Sequence, residues 1–165
     1  MLTLKARAKI NLVLGVSSPM PPGHAKPGFH EIASWMAALE LCDDLDVSHA
    51  LDGAGDLQVS WAADAPRPTN IDWPIESDLA FRAWKLLEVA SGQTLPVKMR
   101  LHKRIPVGGG LGGGSADAAA TLLAITALFH LPFSHDQLQH LSNWDLTLHS
   151  FLKMATSEQF HDRHL

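Results

Sequence analysis

The order of apolar and polar positions predicts a chain of mixed strands and helices. Residues 2–16, LTLKARAKINLVLGV, place Leu2, Leu4, Ala6, Ala8, Ile10, Leu12 and Leu14 on one face, which predicts a strand. Residues 17–28, dense in proline and glycine, predict a loop. Residues 29–41, FHEIASWMAALEL, carry two signals: the alanines favour a helix, the surroundings a strand. Residues 43–61 read as two strands joined by a glycine-containing turn, and 62–74 as a second loop. Residues 76–92 form an amphipathic helix with Leu79, Trp84, Leu87 and Ala90 on its apolar face and Gly92 as its stop. Residues 95–106 read as a strand with Val97, Met99 and Leu101 inward and Lys98, Arg100 and His102 outward. Residues 115–131 and 134–144 predict two more helices, the second capped by Ser134. The pattern is that of one α+β domain.

Between the strand ending near Pro106 and the helix opening near Ser115, six glycines occupy the seven positions 108–114. Each glycine loses more conformational entropy on ordering than any other residue, so the backbone there must have a use for bare amides. A strand, a glycine loop and a helix start bring several N–H groups and the positive end of a helix dipole to one point. That is an anion cradle, and phosphate is its usual guest. Ser115 can cap the helix or reach a phosphate or its Mg²⁺, and Lys103 can neutralise phosphate charge. The run also fits G-x-G-x-x-G at Gly108, Gly110 and Gly113, but any glycine run does. Residues 121–133 hold no acid for a dinucleotide's ribose, and no G-K-[ST] closes a Walker loop. A plain flexible hinge is the bland alternative, and the remaining reading is a third type of phosphate loop.

Composition narrows the classes. The chain has 165 residues, 46% of them hydrophobic and 18% charged, which is a globular composition. A net charge of −4 gives no electrostatic footprint for nucleic acid. No apolar run approaches the ~20 residues of a membrane helix, and the start lacks a signal-peptide pattern. A single cysteine, Cys42, excludes a disulfide framework and favours a reducing compartment, so the expectation is a cytoplasmic protein with no nucleic-acid or membrane partner. His161 and His164 form an H-x-x-H at the terminus, where a frayed tail is the plainer reading than a metal site.

PVGGGLGGGSADAAA resembles the central motif of the GHMP kinases. Its doubled triple glycine followed by Ser-Ala-Asp-Ala-Ala is most similar to one branch. Members of that branch phosphorylate the 2-hydroxyl of 4-diphosphocytidyl-2-C-methyl-D-erythritol in non-mevalonate isoprenoid synthesis. AKINLVLGV at 8–16, PGFHEIASWM at 27–36 and SDLAFRAWKLL at 77–87 resemble further segments of that branch, in family order, over roughly residues 2–141. In the last of these, an Asn often seen in the family is Ser77 or Asp78 here. The resemblance implies the GHMP N-terminal domain fold (like domain 2 of ribosomal protein S5) over 1–141, ATP and Mg²⁺ as cofactors, and a cytidine-diphosphate-linked methylerythritol as substrate. It implies that Lys9 lies by the reacting hydroxyl and that Asn11, Phe29 and His30 bind the acceptor. Lys103, Pro106, Gly108, Gly109, Gly110, Gly112, Gly113, Gly114 and Ser115 would hold ATP, with Ser115 also near the metal. Asp117 reads as a first-turn helix acid rather than a catalytic group.

The sequence departs from the family after the third helix. The family's catalytic aspartate lies in a stretch like L-G-S-D-x-P-F-F, whereas residues 141–152 read LSNWDLTLHSFL, with Asp145 in different company. Read one nucleotide earlier, codons compatible with Asn143–Phe151 can spell Leu-Gly-Ser-Asp-x-Pro-Phe-Phe. The expectation is a frameshift near residues 141–143, a non-family tail over 142–165, and an absent second domain. Strands that face that domain in the family would then expose apolar faces and weaken the chain. Two alternatives stand beside the kinase reading: an inactive N-terminal fragment that at most binds nucleotide, and a GHMP kinase for another acceptor.

Overall fold

The structure is a computed structural model that describes residues 1–23, 28, 30–142 and 152. Four strands form one sheet: β1 (Leu2–Val16), β2 (Ile32–His49), β3 (Asp56–Trp61) and β4 (Val97–Lys103). Three helices accompany them: α1 (Leu79–Ser91), α2 (Gly113–Leu128) and α3 (His135–Leu141). The sheet order is β1-β2-β4-β3, antiparallel except for the parallel pair β3 and β4. The α+β expectation is therefore met by a mixed sheet.

Residues 29–41 resolve towards the extended alternative. From Ile32 onward they join the predicted strand at 43 in one 18-residue strand, β2. Pairing with β1 decides this, from Leu2 opposite Val47 to Val16 opposite Ile32. The two strands read from residues 43–61 are not sheet neighbours, because β4 lies between them. A parallel pair needs a crossover, and α1 supplies it between β3 and β4.

The core lies on one face of the sheet, where Leu45, Val47, Met99 and Leu101 meet Ala83 and Leu87 of α1 and Leu122 and Ile125 of α2. On α1 the buried stripe is Ala80, Ala83, Trp84 and Leu87; Ala90, expected inward, is exposed because the helix leaves the core in its last turn. Gly92 ends α1 in the left-handed conformation at φ 65°. Ser134 caps α3 in a reciprocal capping box with Gln137.

The alternation read along β1 holds for half its length. Ala6 and Ala8 are buried, but Ile10, Leu12 and Leu14 are exposed. Register shifts between Arg7 and Lys9 and between Asn11 and Val13 break the two-residue period. With Val13, Val16 and Trp35, which is 69% exposed, these residues make the far half of the β1–β2 ribbon apolar on its surface.

The two halves of the sheet should respond differently to truncation. Leu101→Ala is expected to cost about 2–5 kcal/mol in denaturant unfolding, as for a filled core site. Leu14→Ser should change stability by less than about 0.5 kcal/mol.

Candidate active site

β4 ends at Lys103, and the glycine loop runs from there to α2. Gly108, Gly110 and Gly112 have φ of 75°, 71° and 74°. Side chains at these three positions would be strained, at roughly 1–2 kcal/mol each. Gly113 is constrained differently: a Cβ there would stand 2.9 Å from Ile105 Cγ2. So the glycines answer two demands, an unusual backbone path and a close approach to a buried side chain.

The loop walls a cavity of about 380 Å³, within the range of small-molecule sites. The rest of its lining includes Trp73, Ser77, Asp78 and Leu79 before α1, and Lys103, Ser115 and Asp117. Asp78 caps α1 through Ala80 N–H at 2.9 Å, and its other oxygen accepts from Trp73 Nε1 at 3.1 Å. Trp73 lay in a stretch read only as loop; its place in the cavity follows from this cap.

β1 is tied to the loop by backbone and side chain. Lys9 N–H donates to the Leu111 carbonyl at 2.9 Å, and Lys9 Nζ donates to the Gly110 carbonyl and to Asn11 Oδ1, both at 2.9 Å. The structure therefore brings Lys9, Asn11 and the glycine loop together. It does not bring His30 to them. His30 Nδ1 lies 2.7 Å from the Ser17 carbonyl beyond the end of β1, roughly 26 Å along an extended strand from Lys9. Phe29, Asp145 and the histidines of the terminal H-x-x-H lie outside the described residues.

Three sequence readings change here. Lys103 does not present a free ammonium at the strand end. Its Nζ donates to Asp43 Oδ2 at 2.7 Å and Asp117 Oδ2 at 2.6 Å, and all three side chains are almost wholly buried. Asp117 is not a first-turn acid: α2 begins at Gly113, and Asp117, the fifth residue of the helix, faces inward to Lys103. Ser115 does not cap α2, because the cap position is Gly112; its side chain is buried at the cavity wall. Asp43 was missed altogether. Its other oxygen accepts the backbone N–H of Arg104 and of Ile105, the latter at 2.8 Å, so it anchors the entry to the loop. Parity held the clue, since the alternation that buries Val97, Met99 and Leu101 also turns Lys103 inward.

The electrostatics follow from burial. Burial disfavours the Lys103 ammonium, but Asp117 and Asp43 together outweigh it and hold Lys103 above the ordinary lysine value. Burial pushes the Asp117 carboxyl well above the usual range; Lys103 opposes this and Asp43 reinforces it. Among the described residues, no group of three or more His, Cys, Asp or Glu could hold a metal ion. No described helix is long and apolar enough to cross a membrane.

Lys103→Met should destabilise the chain by about 3–5 kcal/mol in denaturant unfolding, because it leaves two buried carboxyls without their cation. Both raised groups hold their protons more tightly in the fold than in the unfolded chain. Their stabilisation is complete below the unfolded values and is lost as pH rises through the folded ones. Wild-type melts should therefore weaken as pH rises above the ordinary carboxylate range, through Asp117, and again above the ordinary lysine range, through Lys103.

Comparisons with known proteins agree with this geometry. Residues 78–145 match the GHMP kinases N terminal domain. The chain is 39% identical over 140 residues to the 4-diphosphocytidyl-2-C-methyl-D-erythritol kinase of Burkholderia mallei (strain SAVP1), covering 83% of this chain and 42% of that protein. It is 41% identical over 134 residues to the enzyme of the same name from Synechococcus sp. (strain CC9311), covering 81% of this chain and 39% of that one. A crystal structure of 4-(cytidine 5'-diphospho)-2C-methyl-D-erythritol kinase superposes with a TM-score of 0.68 at 32% identity, over 92% of this chain and 48% of the other. A mevalonate kinase structure shares the fold alone, with a TM-score of 0.59 at 12% identity over 86% of this chain and 45% of the other. The chain thus spans under half the length of these relatives. In sequence motif, loop geometry and topology alike, it belongs to the GHMP kinases, as their N-terminal domain.

Proposed function

We propose that the chain forms the nucleotide-binding part of an ATP-dependent kinase. Its proposed reaction is phosphorylation of the 2-hydroxyl of 4-diphosphocytidyl-2-C-methyl-D-erythritol, the acceptor named in its relatives. The observation that carries this reading is the glycine loop itself: three left-handed glycines wall a cavity at the start of α2, with the Lys9 ammonium against the loop.

Phosphoryl transfer needs little covalent help; it is mostly positioning and charge stabilisation. The amides from Gly108 to Gly114 and the start of α2 would hold the phosphates, with Pro106 setting the loop's departure from the strand and Ser115 at the wall. Lys103 would contribute by holding the loop's base, not by touching phosphate. Mg²⁺ fits as a companion of the triphosphate, where it would neutralise charge on the transferring group. Lys9 would steady the developing charge where the acceptor hydroxyl meets the phosphate, and Asn11 would orient that hydroxyl. Phe29 and His30 would serve the cytosine end of an acceptor extended along the β1–β2 ribbon.

A second reading has its own support. Among the described residues, the Lys9 ammonium is bonded to an amide oxygen and a carbonyl, not to a carboxylate that could take the hydroxyl proton. Nucleotide binding without transfer suits that arrangement.

Two measurements separate these readings. Titration of the purified chain with ADP should show binding that Gly112→Val abolishes; no binding by the wild-type chain would sink both. Phosphorylation of 4-diphosphocytidyl-2-C-methyl-D-erythritol from MgATP should then fall on the order of 10²–10³-fold in Lys9→Ala, with ADP affinity nearly kept. Binding without turnover would favour the second reading, and turnover only with another alcohol would reassign the acceptor.

A further inference from the structure

Beneath the glycine loop, one ammonium faces two carboxyl groups. Lys103 stands 2.7 Å from Asp43 Oδ2 and 2.6 Å from Asp117 Oδ2. The two acids are served unequally. Asp43 accepts from Lys103 and from two backbone N–H groups, the surroundings that suit an anion. Among the described residues, Asp117's carboxyl accepts from Lys103 at Oδ2, and its Oδ1 is buried with no hydrogen-bond partner.

The charged groups on the elements around the pair are engaged elsewhere. On β4's end, Arg104 bonds Asp44 of β2 at 2.7 Å and Asp64 at 2.8 Å. On β1, Lys9 bonds Asn11 and the Gly110 carbonyl. Ahead of α1, Asp78 takes Ala80 N–H and Trp73 Nε1. On α2 itself, Asp117 is the only ionisable side chain. One cation so placed balances one carboxylate; a second carboxylate would leave an uncompensated charge in a dry interior.

We propose that Asp117 is a positioning residue for the glycine loop and that it works as a carboxylic acid, so that Asp43, Lys103 and Asp117 form a neutral buried brace under the cavity. The functional consequence rests on reading the loop as a phosphate cradle. With Asp117 protonated, the loop amides and the start of α2 meet phosphate unopposed. With Asp117 ionised, a net negative charge lies at the wall of the same cavity and repels the ligand. Burial and the neighbouring Asp43 both favour the protonated form, against Lys103.

Infrared spectra of the full chain test the proton directly. At neutral pH the wild type should show the carbonyl stretch of a protonated carboxyl, and Asp117→Asn should lack it; a wild-type spectrum without that band overturns the proposal. ADP affinity then tests the consequence. In the wild type it should fall on the order of tenfold as pH rises and Asp117 ionises. Asp117→Asn, which mimics the acid, should keep the affinity of the protonated form with that step removed, while Asp117→Leu loses it. An Asn variant that retains the wild-type pH step overturns the proposal. If ADP binds neither protein at any pH, the phosphate-cradle reading fails, and the infrared band still decides the proton. Should the Asn variant not fold, carbon-13 spectra of carboxyl-labelled aspartate in the wild type give the same answer. One resonance should stay protonated where the others have titrated, and its absence overturns the proposal.

Discussion

A buried ammonium held between two carboxyls sets the geometry of this domain's active end. Lys103 closes β4, Asp43 belongs to β2 and Asp117 to α2, so one cluster joins two strands and a helix. Charges out of water are tolerated only when their hydrogen-bonding capacity is met, which leaves the three elements little freedom to slide. The same cluster anchors the loop at its base, because Asp43 also binds the amides of Arg104 and Ile105 as the chain leaves the sheet. The far end of the loop is fixed by packing, where Gly113 sits against Ile105 too closely for a side chain.

Between these anchors the backbone follows a path that L-residues resist. Positive φ at Gly108, Gly110 and Gly112 makes the loop costly to order and places its amides beside the cavity. Lys9 then couples this loop to the first strand through its own amide and its ammonium. The proposed nucleotide and acceptor sides thus share one short set of contacts. That coupling explains why β1 leaves regular alternation at Lys9: a register shift there lets the residue reach the loop at the expense of the two-residue period.

Much of this was legible in the residues. The inward set of β4, the left-handed stop at Gly92 and the Ser134 capping box are local features, and the structure has them as read. The glycine run announced a phosphate-type loop, and the loop does wall the cavity. The errors have a common origin. Ile10, Leu12 and Leu14 were placed on one face with Ala6 and Ala8, but they are exposed, beyond register shifts that only the partner strand reveals. Lys103 was read as a strand-end lysine that neutralises phosphate charge, although its parity pointed inward.

The sequence by itself determined most of the elements, the stop at Gly92, the cap at Ser134, the glycine loop and the family to which they belong, because each is encoded within a few neighbouring residues. Tertiary structure alone decided the strand order, the single long β2 and the brace under the loop. Asp43 and Lys103 are 60 residues apart, and Asp117 is 14 beyond Lys103. What makes them one unit is the cost of leaving any of them buried and unpaired, which no local pattern expresses.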